Sequence, residues 1–137
     1  MSHTCSSAFV RCMDFRLTPA VEEYFRVNGL SGNADMISVA GAAKGMADQE
    51  NSFLESQIDL SKRLHGIQTV ILMNHTDCGA YGGRSGFSSS EAERERHLDD
   101  LRTAKERIQH KDADLEVRLI FGTIGEDGKV VVEEIAS

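Results

Sequence analysis

Apolar positions along the chain recur with two different periods, and the switches between them mark out the elements. Ala8 to Met13 (AFVRCM) reads as a short strand. Thr18-Pro19 then gives an N-cap with proline at the first helical position, Glu22 and Glu23 occupy the early turns, and Gly29 ends the helix. Asp35 to Val39 (DMISV) predicts a second strand running into the small-residue loop Ala40 to Gly45. Asn51 to His65 carries Leu54, Ile58, Leu60 and Leu64 at roughly helical spacing and closes at Gly66. Thr69 to Asn74 (TVILMN) is nearly all apolar, the pattern of a strand covered on both faces, so it is expected at the centre of the sheet.

A glycine- and serine-rich loop follows from Gly79 to Ser89. Ser90 with Glu93 forms a capping box that opens a charged helix to about His110, with Leu98, Leu101 and Ile108 as its inward stripe. Leu115 to Phe121 and Lys129 to Ile135 are strand-like and joined through Gly125 to Gly128, a terminal hairpin. The predicted fold is α/β, with a mostly parallel central sheet of about five strands, right-handed crossovers, one antiparallel C-terminal edge strand and flanking helices. No internal repeat or linker interrupts residues 1–137, which are expected to form a single domain.

Composition narrows the possible functions. A chain of 137 residues with 40% hydrophobic content builds a continuous core without disulfide staples. The net charge of −7, with no clustered Lys/Arg face, disfavours nucleic acid and anionic lipid as partners. No apolar run approaches the roughly 20 residues of a membrane span, and the start of the chain lacks a signal-peptide layout, so a cytoplasmic location is expected. Three cysteines, two of them beside Asp, Arg and His, suit a reduced compartment where thiols serve as ligands or nucleophiles; Cys5 reads as a bystander.

In open parallel sheets, ligands bind beyond the carboxyl ends of the strands, where both polar clusters of this sequence fall. Cys12-Met-Asp14-Phe-Arg16 leaves the first strand and His75-Thr-Asp77-Cys78-Gly79 leaves the third. If these strands are neighbours, two thiolates and an imidazole converge on one point, a donor set that suits Zn2+ better than magnesium, calcium or manganese. Three ligands leave a fourth tetrahedral position for water, the mark of a catalytic rather than a structural zinc. Asp14 and Arg16, two residues apart in an extended segment, share a side and pair. Asp14 then either accepts a hydrogen bond from water on the zinc or swings onto the metal and closes the site.

Each of these residues also has an ordinary reading. Cys12, His75 and Cys78 taken singly are common core residues, and it is their joint occurrence with Asp14 and Arg16 that favours a metal. Asp77 reads as a turn-capping carboxylate. Gly41 to Gly45 offers backbone N–H groups but lacks the Gly-Lys-Ser/Thr ending of a phosphate loop. His3, His65, His97 and His110 lie at a terminus or in charged helical surroundings and are expected to be solvated.

Cys-x-Asp-x-Arg followed at long range by His-x-x-Cys-Gly resembles the signature pair of the β-class carbonic anhydrases, and the likeness extends over most of the chain. It implies a mixed sheet of four parallel strands and one antiparallel. It also implies Cys12, His75 and Cys78 as zinc ligands, and Asp14 with Arg16 as the pair that orients water or hydroxide on the metal. The implied reaction is reversible hydration of CO2 to bicarbonate and a proton, by a homodimer or a multiple of dimers whose pocket is lined partly by the neighbouring subunit. The family's usual Arg-Asn-Ala-Gly is read here as Ser38-Val39-Ala40-Gly41, and the N-terminal helices of ordinary members are missing. Two alternatives therefore stay open: a hydrolase of another small linear molecule such as CS2 or COS, and a non-catalytic zinc-bearing binding or regulatory module.

Overall fold

Side chains on a strand point alternately to opposite faces, and in the three inner strands both faces are largely buried, whereas the two edge strands are only partly covered. The computed structural model describes residues 3–48 and 52–136. Its strands are β1 (Ser7–Arg11), β2 (Ala34–Ser38), β3 (Thr69–His75), β4 (Glu116–Ile124) and β5 (Val130–Ile135). They form one sheet in the order β2-β1-β3-β4-β5, with β3 at the centre as its apolar run predicts. β1 pairs in parallel with β2 and β3, β3 in parallel with β4, and only β5 runs antiparallel. This is the predicted architecture.

The helices are α1 (Thr18–Val27), α2 (Lys44–Asp48), α3 (Phe53–His65) and α4 (Ser90–Lys111). Ala8, Val10, Val70, Leu72, Val117 and Leu119 form one core with residues of α2, α3 and α4, including Met46, Leu54, Ile58, Leu101 and Ile108. The alternate residues Phe9, Ile71, Met73 and Ile120 meet Val21 of α1 together with Leu17 and Leu30 on the opposite face. Burying a side chain such as the fully enclosed Phe9 contributes roughly 1.5–3 kcal/mol. α3 ends where predicted, because Gly66 takes the left-handed conformation (φ 65°) and its N–H returns to the Lys62 carbonyl. Ser52 caps its start by accepting from the Glu55 N–H; Asn51, the predicted first residue, lies outside the described residues.

Several boundaries differ from expectation for identifiable reasons. β1 stops at Arg11 rather than Met13, because its pairing with β3 ends at Val10 and with β2 at Arg11. The chain then makes a 3-10 turn at Phe15–Leu17, so α1 begins at Thr18 itself, without a side-chain cap. β4 runs three residues past Phe121 because Gly122 to Ile124 pair with Val132 to Val130. The loop Ala40 to Gly45 was expected to stay irregular, but its end enters the short helix α2. At α4 the cap is Ser89, which accepts from the Ala92 N–H; the Ser90–Glu93 box does not form, and Glu93 is buried.

Candidate metal centre

Because β1 and β3 are adjacent and parallel, the residues that leave their carboxyl ends are brought together. Cys12, His75 and Cys78 are all buried, and one ligand atom from each lies within 4.8 Å of the others. The two sulfur atoms are 3.9 Å apart. His75 Nδ1 lies 2.7 Å from the Thr76 carbonyl, which only accepts, so the proton sits on Nδ1 and the Nε2 lone pair is left free. That Nε2 finds no hydrogen-bond partner among the described residues. An unpartnered buried acceptor costs about 1–3 kcal/mol unless something ligates it, which a metal ion at this point would do.

Electrostatics suits the same conclusion. Cys78 placed to donate to Cys12 holds the Cys12 thiol well below its usual range, helped by His75 and by the Gly41 N–H, against the opposing effect of burial. Cys78 is correspondingly pushed up by that shared proton and by burial. A thiolate already favoured at Cys12 is ready to ligate, and a metal would release the remaining thiol proton. The Gly41 N–H reaches the Cys12 sulfur at 3.5 Å. Gly41 has φ 81°, and a Cβ there would come within 3.1 Å of the side chains of both Ala80 and Lys44, so glycine suits this approach.

Asp14 and Arg16 pair as the sequence suggests. Arg16 donates from Nη2 to Asp14 Oδ2 at 2.7 Å and from Nε to Oδ1 at 3.1 Å, a forked contact. This pairing, with the Arg16 N–H also donating to the carboxylate, lowers the Asp14 pKa to about 2. The carboxylate is thus on Arg16, and the cluster of ligand atoms consists of Cys12, His75 and Cys78 without it. Arg16 also donates to Asp77 Oδ2 at 3.1 Å and to the Asp77 carbonyl at 3.0 Å, so it bridges the loop after β1 and the loop after β3.

Asp77 does serve the turn, accepting the Arg84 N–H at 2.8 Å through Oδ1, but it also faces Arg16, which the sequence pattern did not indicate. The Arg84 N–H, then Arg16, hold its carboxyl below the usual range. Its backbone has φ 55°, left-handed for a non-glycine residue. Glu93 of α4 secures that strained unit by accepting the Asp77 N–H at 2.8 Å.

His97 requires a correction. Expected in solvent on a charged helix, it is fully buried. Asn74 Oδ1 accepts the Ala43 N–H at 3.1 Å, which orients its amide to donate to Tyr81 Oη at 3.1 Å and to His97 Nδ1 at 3.0 Å. Tyr81 in turn donates to Asp100 at 2.6 Å. Burial lowers the His97 pKa to about 4, with the neighbouring His75 and Arg96 adding to the effect. No sequence period announces this network, because α4 buries polar residues alongside Leu101, Ala104 and Ile108. In the loop 40–45, N–H groups considered for an anion are already engaged, Gly41 with Cys12 and Ala43 with Asn74. His3 and His110 are exposed; His65 is half-buried against Asp35.

Beside Cys12 a cleft of about 840 Å3 opens, walled by Met13, Phe15, Ala40 and Ala80, with Asp14 and Arg16 at one side. No helix among the described residues is long and apolar enough to cross a membrane.

Residues 2–133 match the model of a family described as "Putative carbonic anhydrase". An uncharacterized protein of Rickettsia conorii is 29% identical over 95% of this chain and 72% of its own length. One of Rickettsia bellii is 29% identical over 95% and 81%. Among solved structures, the β-carbonic anhydrase CcaA superposes with a TM-score of 0.67 at 17% identity, covering 100% of this chain and 79% of its own. Isoform I of the β-carbonic anhydrase of Trichomonas vaginalis gives 0.62 at 17%, covering 96% and 85%. One of two tetrameric β-carbonic anhydrases of Sordaria macrospora gives 0.61 at 13%, covering 100% and 83%.

Proposed function

This chain belongs to the carbonic anhydrase family whose model it matches, and from that premise we propose that it catalyses the reversible hydration of CO2 to bicarbonate and a proton with Zn2+ held by Cys12, His75 and Cys78. The observation that carries the reading is the buried triad itself, with the His75 Nε2 lone pair unpartnered while Asp14 is held by Arg16. When bound, zinc supplies Lewis acidity that brings the ionisation of water near neutral pH, to about 7 in a carbonic anhydrase.

The chain's own residues do the rest. Thr76 fixes the His75 tautomer through its carbonyl, leaving Nε2 to ligate. Asp14 stays ionised, and Arg16 holds it off the triad. Its carboxylate retains lone pairs with which to orient a water molecule and accept its proton's hydrogen bond. The apolar walls at Met13, Phe15, Ala40 and Ala80 suit a small, linear, uncharged substrate. Met13 is 66% and Phe15 83% exposed at that mouth, which supports a homodimer or a multiple of dimers in which the neighbouring subunit covers the cleft. A cytoplasmic site of action accords with the free cysteines.

Stopped-flow CO2 hydration by zinc-loaded protein tests the reading. A rate equal to buffer from about pH 7 to 9, the range in which an activated water ionises, would overturn it. Ser38-Val39 in place of the family's Arg-Asn favours carrying a second assay, sulfide release from CS2 or COS. Turnover there alone would reassign the substrate, and absence of turnover in both would leave a zinc-bearing binding module.

A further inference from the structure

At the opposite end of the sheet from the triad, three donors of different hardness meet. Cys5 precedes β1, Asp35 lies in β2 and His65 is the last residue of α3. One ligand atom from each falls within 4.8 Å of the other two. His65 Nδ1 and Asp35 Oδ2 are 2.6 Å apart. The Cys5 N–H donates to the His65 carbonyl at 3.1 Å, which fixes the cysteine backbone against the end of α3. Ser61, one turn earlier, donates to the same Asp35 oxygen at 2.6 Å and orients the carboxylate from behind. All three donors are half-buried, and a cavity of about 230 Å3 beside Asp35, Ser61 and His65 opens to solvent.

We propose that Cys5, Asp35 and His65 form a second metal site, for a borderline divalent ion of the zinc class. Thiolate, imidazole and carboxylate together suit zinc or cobalt and do not suit magnesium or calcium, which take oxygen ligands. The site differs from the triad in two ways that set its role. It carries one thiolate in place of two, so it binds more weakly, and it joins the N-terminal segment, β2 and α3, away from the 840 Å3 cleft. Its ion therefore clamps the start of the chain to the sheet edge. The charge balances when the thiol proton is released to solvent: a divalent ion, one thiolate, one carboxylate and a neutral imidazole sum to zero.

The proposal is independent of the proposed reaction, and metal counting separates the two. Purified protein is loaded with zinc, passed through a desalting column and analysed for metal per chain, for wild type, Cys5→Ala, His65→Gln and Cys12→Ala. Two equivalents are expected for wild type, and one for each variant. Cobalt loading adds a spectroscopic readout, since in the Cys12→Ala background Cys5→Ala and His65→Gln should each abolish the remaining thiolate-to-cobalt absorption. His65 and Cys5 are half-buried, and far-UV circular dichroism checks that each variant is folded. One equivalent in wild type, lost in Cys12→Ala and kept in Cys5→Ala and His65→Gln, overturns the second site. One equivalent lost in Cys5→Ala and His65→Gln but kept in Cys12→Ala upholds it and overturns the triad instead.

Discussion

Glu93 on α4 accepts the backbone N–H of Asp77 at 2.8 Å, although the two are separated by the whole glycine-rich loop. The bond holds Asp77 in its left-handed conformation between His75 and Cys78, and through Asp77 it steadies Arg16. Glu93→Ala is expected to lower stability by about 1–3 kcal/mol, the cost of leaving a buried partner unmade. It should also reduce CO2 turnover, with zinc content retained. Glu93→Gln keeps an accepting oxygen and should recover most of both. Urea unfolding and stopped-flow rates read the two effects, and equal loss in both variants would refute the link.

Arg16 makes forked contacts to Asp14 while reaching Asp77 with its remaining nitrogen, which a single ammonium group cannot reproduce. Arg16→Lys should therefore lower kcat/KM by roughly 10- to 100-fold, or about 1.4–2.7 kcal/mol of transition-state stabilisation. Zinc content should stay at the wild-type level. Wild-type kinetics in this variant would remove Arg16 from the mechanism.

His97 is kept neutral by burial, with a native pKa of about 4 against roughly 6.5 in an unfolded chain. As pH falls, the unfolded chain takes up that proton first, so stability is unaffected above about 6.5 and is lost progressively down to about 4. Across that interval the wild type should lose on the order of 2–3 kcal/mol more than His97→Gln, which cannot titrate. Denaturant unfolding of both proteins at several pH values measures it. A wild-type-minus-variant difference that stays constant with pH would sink the prediction.

Removing the metal should unmask the free Nε2 of His75 and the crowded sulfurs of Cys12 and Cys78. In a Cys5→Ala background, chosen to isolate this centre, zinc at about 100 times its Kd stabilises by about 2.7 kcal/mol. This corresponds to a rise in Tm of roughly 5–15 °C for a chain of this size. Chelation should reverse the rise, and a further Cys78→Ala change should prevent it. A zinc-independent Tm would argue that the triad is an ordinary part of the core.

What the sequence disclosed followed from periodicity. The run Thr69 to Asn74 predicted a central strand, and β3 is central; Gly66 predicted the end of α3, and supplies it. Cys12, His75 and Cys78 were legible as a cluster because strand ends in parallel sheets converge, and Asp14 with Arg16 as a pair because both leave the same strand two residues apart. His97 and Glu93 were not legible, since α4 is strongly polar and only tertiary contact decides which of its polar residues turn inward. Asp77 carried a correct turn signal that concealed its second contact with Arg16. Cys5 was passed over because Asp35 and His65 are each distant in sequence, and only the β1–β2 pairing beside α3 brings the three together.

Cys12 and Cys78 stand 66 residues apart along the chain. Closing that loop requires β3 to dock beside β1, a non-local step whose entropy must be met before the site exists. An ion held by the triad would therefore arrive late in folding, since with helices formed but the sheet still open only His75 and Cys78 would be near one another. If the triad holds an ion, its uptake during refolding should lag the recovery of helical signal and coincide with completion of the sheet, so that uptake reports the last stage of assembly.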